Sequence, residues 1–409
     1  MAATANVIAE VRPSAISLRW IISAQDDLVW FIGSVASSYA LLALYTSGVV
    51  PLVPMVAAWA ILIDAPHVFG TFSRTYFDRT ERHNRARLLW GSLLFFVVGP
   101  LLVWAGAGFV FFFIAALWAY YHLVKQHYGF MVLYKKKNGD LAPVDNALDR
   151  LLLLFAFNYP FVAFIAQDPQ AMARVPSVLQ SSVNMVATFL LAGTIILGIA
   201  WLVRQVQRAI LSQPLDVPKY LLLAAAIPMH WIVLLTPMPN KPIAIVAILT
   251  IYHNLQYHRL IWFHNRKYSP GSADILSAAP RRSLGESPRG ESPRGESPKR
   301  PSLSALSGGK AASHDLRRKY GAAEMISRRL LYYIAFGILF GLIYQGPRQY
   351  LGYITFKNHQ TLGGANEQSF AVQLGISFLW GYAFIHYYLD SKIWRVRRDP
   401  SVGRALKMD

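Results

Sequence analysis

The chain has 409 residues, 54% hydrophobic and only 15% charged, and its apolar residues come in runs long enough to cross a bilayer, unlike the short bursts of a soluble core. The net charge of +19 lies mostly beside those runs or in one low-complexity stretch, which fits orientation against anionic lipid and argues against nucleic-acid binding. The absence of cysteine excludes disulfides, thiolate-held zinc, iron–sulfur clusters, covalently attached c-type haem and cysteine nucleophiles.

These features predict an all-α fold, a polytopic integral membrane helical bundle of about ten transmembrane helices. Residues 1–27 carry Arg12 and Arg19 but no apolar stretch with a small-residue cleavage site, so no removable signal is expected. Spans are expected near 28–48, 51–70, 88–104, 107–134, 150–166, 182–203, 219–235, 242–263, 328–345 and 370–391. Basic residues collect in alternate connections: Arg74, Arg79, Arg82, Arg85 and Arg87; then Lys135, Lys136, Lys137 and Arg150; then Arg204, Arg208 and Lys219; then the tail from Lys392 to Lys407. The other loops hold only Arg174, Lys241, Arg348 and Lys357. The positive-inside rule therefore places both termini and the even-numbered connections in the cytoplasm. Residues 269–314, with the tandem repeat GESPRGESPRGESPKRP, are too polar to bury a core and are expected to be a disordered cytoplasmic linker. The expected organisation is an eight-span block at 1–268, the linker at 269–314 and a two-span block at 315–409 that completes the bundle.

Among the eleven histidines, His67, His83, His122, His127, His253, His258, His264 and His386 fall at one end of the expected spans. Spans 2, 4, 8 and 10 run in the same direction and carry His67, His122 with His127, His253 with His258, and His386 in their last turns. Four such helices side by side would form an imidazole-rich chamber at the inner surface. Ionisable groups inside a membrane are costly and mark function. His122/His127 and His253/His258 are each five apart, a rotation of about 140° that separates their faces unless a π-bulge intervenes or each imidazole serves a different partner. Asp390 lies four residues after His386 and Asp64 three before His67, so each carboxylate shares its histidine's face as a ligand or as the acceptor that fixes the tautomer. His83 lies on a polar amphipathic segment, and His264 lies too far along its helix to share an ion with His253. His230, near mid-span, reads as a buried interhelical hydrogen bonder. His314 and His359 fall in the linker and in an outer loop. The expected metal ligands are His67, His122, His127, His253, His258, His386, Asp64 and Asp390; no catalytic residue is assigned.

Imidazole and carboxylate without sulfur suit iron, zinc, manganese or copper(II). Iron, as one or two non-haem ions, is favoured in lipid, where oxygen and apolar substrates both partition. The boxes HLVKQH (122–127) and HNLQYH (253–258) resemble those of the membrane-bound histidine-box non-haem iron enzymes: desaturases, hydroxylases and carotenoid-cleaving oxygenases. The resemblance implies metal ligation by His122, His127, His253 and His258. No His-His pair occurs, a departure from the desaturase and hydroxylase boxes that leaves a mononuclear, four-histidine-like site open. The resulting expectation is a membrane metalloenzyme that oxidises a lipophilic small molecule, with the bilayer and a separate redox partner as its associates. The rival readings are a transporter or channel with a histidine-lined path, a bis-histidine haem electron carrier and a metal-free lipid-group transferase.

Overall fold

The computed structural model describes residues 16–268, 314–362 and 369–394, together with Val402, Gly403, Leu406 and Met408. The expected linker, apart from His314, lies outside the described residues, as does the side chain of His359. The fold is all-α. Its long helices are α1 (Ala24–Thr46), α2 (Leu52–Arg74), α3 (Ala86–Trp104), α4 (Gly108–Asn138), α5 (Pro143–Gln167), α6 (Ser177–Ile210), α7 (Val217–Leu235), α8 (Lys241–His264), α9 (Leu330–Leu362) and α10 (Phe370–Ile393). A parallel pair of two-residue strands, β1 (Ile16–Ser17) and β2 (Leu215–Asp216), supplements them.

Ten helices thus match the ten expected spans. Among the described residues, eight of them, α1 to α7 and α9, are long and apolar enough to cross a membrane by length and composition. The count departs from ten because α8 and α10, though 24 residues each, carry the His, Asn, Gln and Tyr side chains that lower their mean hydropathy.

Local chemistry sets the helix ends. Pro143 starts α5 with Asp145 in its first turn, the Asp216 carboxylate accepts from Lys219 N ahead of α7, and the Ser369 hydroxyl accepts from Val372 N at 3.3 Å ahead of α10. π-helical turns occur at Asp27–Ile32 in α1 and Ala60–Asp64 in α2. The π-bulge considered for the two histidine boxes is not where the sequence suggested, because α4 and α8 run through them as uninterrupted α-helix.

The helices group into two compact units that do not follow the order of the chain. Unit 1 comprises residues 1–49 and 116–252, and unit 2 residues 50–115 and 253–409, so the divisions fall inside α4 and α8.

In unit 1, α6 packs along α5, and Gly193 admits the Phe155 ring where a Cβ would come within 2.3 Å of it. α6 also leaves Phe189, Ile196 and Ile199 exposed, a surface suited to lipid chains. Phe31 of α1 packs on Phe130 at 4.7 Å between ring centroids, and its carbonyl accepts from the Tyr252 hydroxyl at 2.8 Å.

In unit 2, α9 lies against α2, and α10 against α3. Gly337 and Gly341 permit the first contact: a Cβ at Gly337 would stand 2.9 Å from Pro66 Cβ, and one at Gly341 would stand 2.3 Å from the Ile61 carbonyl of the π-turn. Small residues four apart let two membrane helices approach closely. Two apolar clusters flank the approach, one with Val68, Phe72, Tyr344 and Leu389, the other with Phe69, Tyr257, Ile261 and Tyr333.

Candidate metal centre

Unit 2 collects four of the six expected histidines. His67 is the hub, 2% exposed. Its ring centroid lies 4.8 Å from that of His253, 6.2 Å from His258 and 4.5 Å from His386. The Nε2 atoms of His67 and His386 are 2.8 Å apart. Ligand atoms of His67 and His253 lie within 4.8 Å of one another, as do those of His386 and Asp390. These buried His and Asp groups have the donors and spacing to hold a metal ion.

The surrounding hydrogen bonds fix one tautomer. Thr71 Oγ1 and the Tyr257 hydroxyl both donate to Asp390 Oδ1, at 2.7 and 2.8 Å. With its own proton so committed, Thr71 Oγ1 accepts the Nδ1–H of His386 at 2.7 Å. His386 therefore presents the Nε2 lone pair to His67. The expected pairing of His386 with Asp390 holds in geometry, with 3.8 Å from Nδ1 to Oδ2, but Thr71 bridges them. A hydroxyl between imidazole and carboxylate orients a ligand much as a direct carboxylate contact does.

Asp64, also placed in unit 2, ends the π-turn and is held by amides, with Gln345 Nε2 at 3.0 Å and Asn254 Nδ2 at 3.4 Å. His258 donates Nε2–H to the Ile63 carbonyl at 3.0 Å and so keeps its lone pair on Nδ1. Here a π-turn carbonyl serves a histidine, which is how a π-turn becomes useful at a functional site.

His122 and His127 belong to unit 1, where both are buried on α4. His127 Nδ1–H donates to the Leu123 carbonyl at 2.9 Å, and its ring meets that of His230 edge-on at 5.3 Å. His230 likewise donates Nδ1–H to its own helix, at Ala226 O, 2.9 Å away. This corrects the expected interhelical hydrogen bond, since helical backbone one turn back is the nearest acceptor. His83 is exposed on the short helix Arg79–Asn84, and His264 is buried.

A second polar cluster, in unit 1, was not foreseen. Lys219 Nζ lies 2.6 Å from Asp140 Oδ2 and 3.0 Å from Asp149 Oδ2. Lys135 pairs with Asp149, Arg208 with Asp140 at 2.7 Å, and Arg204 with Asp145 through both carboxylate oxygens at 2.9 and 3.1 Å. Trp201 Nε1 donates to Asp149 Oδ1 at 2.6 Å. Four basic residues read from the sequence as facing the membrane border are therefore compensated inside the fold. Burial raises the Asp140 carboxyl, but Lys219, Lys135 and Arg208 outweigh it and hold it below the ordinary range. Asp216 behaves oppositely: burial pushes it up to about 6, against the Lys219 N–H and charge, and its Oδ2 has no donor among the described residues.

A folded pKa raised above the unfolded value means stability fully present below about pH 4 and lost as pH rises through about 6. Asp216→Asn removes the ionised form and keeps an oxygen for the Lys219 N–H. It is expected to stabilise the fold at pH 7.5 by an amount on the order of 2 kcal/mol, seen as a higher unfolding temperature, and to give no gain near pH 4. Thermal unfolding in detergent at the two pH values measures this.

No family model, no curated protein and no solved structure matches this chain.

Proposed function

We propose that the histidine cluster of unit 2 is the non-haem iron centre of an integral-membrane oxidoreductase acting on a lipophilic substrate. The observation that carries this reading is the 2.8 Å separation of the His67 and His386 Nε2 atoms, deep among apolar helices. Two nitrogens bound to one ion at about 2.1 Å each, at near a right angle, stand about 3 Å apart. The pair therefore needs little movement to become two ligands. His253 is the third nitrogen ligand, with His258 Nδ1 and the amide-held Asp64 as further donors. The proposed set draws on unit 2 alone.

All the donors are nitrogen and oxygen, which suits iron and admits manganese, zinc or copper(II); the resemblance to histidine-box enzymes favours iron. Bound iron with open positions would supply oxygen activation for desaturation, hydroxylation or oxygenation. The protein's part is to position. Thr71, Tyr257 and Asp390 hold His386 in the tautomer that turns Nε2 inward, Asn254 and Gln345 orient Asp64, and the apolar clusters around Phe69 and Phe72 exclude water. The same reading has both termini and the 269–314 segment in the cytoplasm, beside a separate electron donor.

Metal analysis of full-length protein purified in mild detergent and reconstituted with iron under reducing conditions tests the reading. One to two iron ions per chain are expected. A chain that remains metal-free after reconstitution overturns it.

A further inference from the structure

Arg74, the last residue of α2, is 1% exposed. Its Nη2 donates to the Ile393 carbonyl at 2.9 Å, and the guanidinium carbon sits 3.9 Å from the centre of the Trp394 ring. Nε and Nη1 have no acceptor, and among the described residues no carboxylate pairs with this cation. His264 stands edge-on to the same indole at 5.6 Å between centroids. Apart from an interaction with one another, its ring nitrogens and the amide atoms of Asn265, the next residue, have no hydrogen-bond partner among the described residues. Both side chains are 1% exposed.

The surrounding charges are mixed: Arg74 and Lys267 are cationic, and Asp78, Glu81 and Asp390 are anionic. Lys267, on the same turn, uses Asp78 at 3.4 Å, and that carboxylate also accepts from the Tyr268 hydroxyl at 2.8 Å. Burial holds the Lys267 ammonium below its ordinary range, and the like charge of Arg74 adds to this while Asp78 opposes it. A buried guanidinium with unmet N–H groups is costly unless an anion or acceptor completes it. Planar N–H donors beside an amide and an imidazole are also the chemistry that recognises a carboxylate or a phosphate.

We propose that Arg74, His264 and Asn265 form an anion-binding site for a carboxylate or phosphate group. Arg74 lies seven residues after His67 on the same face of α2, about 10 Å along its axis. An amphiphile whose head is held at Arg74 would lay its chain toward the histidine cluster. That assignment of the head group to the oxidised substrate rests on the metal-centre reading, whereas anion binding itself does not.

The test uses the full chain in non-ionic detergent after treatment with EDTA, titrated by calorimetry with laurate, dodecanol, acetate and inorganic phosphate. Saturable binding of an anion is expected, with dodecanol giving none. Arg74→Gln should weaken it at least about tenfold, the value of one charge-assisted hydrogen bond. Binding of laurate alone identifies the head group of an amphiphile as the ligand; comparable binding of acetate or phosphate identifies a free anion. Asn265→Asp adds a carboxylate to the proposed site within the chain. It should raise the unfolding temperature of the ligand-free protein and abolish anion binding. The proposal is overturned if the wild type binds no anion, or if both variants bind as the wild type does. Because the protein is metal-free in this assay, iron binding and anion binding can fail independently.

Discussion

His67→Ala and His386→Ala are each expected to lose nearly all bound iron while remaining inserted in the membrane. Each removes one of the two nitrogens that stand 2.8 Å apart. Thr71→Val is expected to act differently. It keeps the volume but removes the hydroxyl that accepts His386 Nδ1–H, freeing the imidazole to rotate or change tautomer. Loss of such a partner costs roughly 10- to 100-fold in metal affinity or activity, so Thr71→Val should bind iron only at raised concentration. His83→Ala and His314→Ala, both at exposed positions, should leave the iron content unchanged. Iron per chain, measured beside a membrane-fraction blot, separates these cases. Full iron content in both His67→Ala and His386→Ala would remove the centre from unit 2.

The helices were legible because their apolar runs exceed what a soluble core requires, and the expected and observed spans differ mainly at polar ends. α6 extends from Ser177 to Ile210, against an expected 182–203, because its last turns carry Arg204 and Arg208 outside the apolar run but inside the helix. The association of His386 with Asp390 was legible from a spacing of four. The place of Thr71 was not, since a single hydroxyl in an apolar helix has no spacing that betrays it. Gln345 was equally silent: its partner Asp64 lies on a helix far away in sequence, and only the close approach at Gly341 brings them together. Nor could local sequence reveal that the segment from His253 onward groups with α2, α9 and α10 while the preceding turns group with α1 and α7. That partition separates His127 from His258 although the two boxes look alike.

The same limitation hid the charge cluster of unit 1, which carries the other large expected effect. Lys135, Arg204, Arg208 and Lys219 read as border charges because their carboxylate partners, Asp140, Asp145 and Asp149, lie in other segments. Lys219 is the pivot, fully buried between Asp140 and Asp149. Lys219→Met keeps the apolar stem and removes the ammonium, leaving those two carboxylates without their shared cation. Breaking a buried pair from one side costs on the order of 3–5 kcal/mol, well above the roughly 0–1 kcal/mol of an exposed pair. The unfolding temperature of detergent-purified protein should therefore fall sharply, and the fall should be little altered by added salt, because buried pairs are poorly screened. Lys219→Met combined with Asp140→Asn should recover much of the loss, since it removes one stranded carboxylate and leaves Asp149 with Lys135. A double-mutant cycle over the four proteins gives the coupling between the two residues. Coupling near zero would mean that the cluster is solvated and that other contacts hold the ends of α4 to α7.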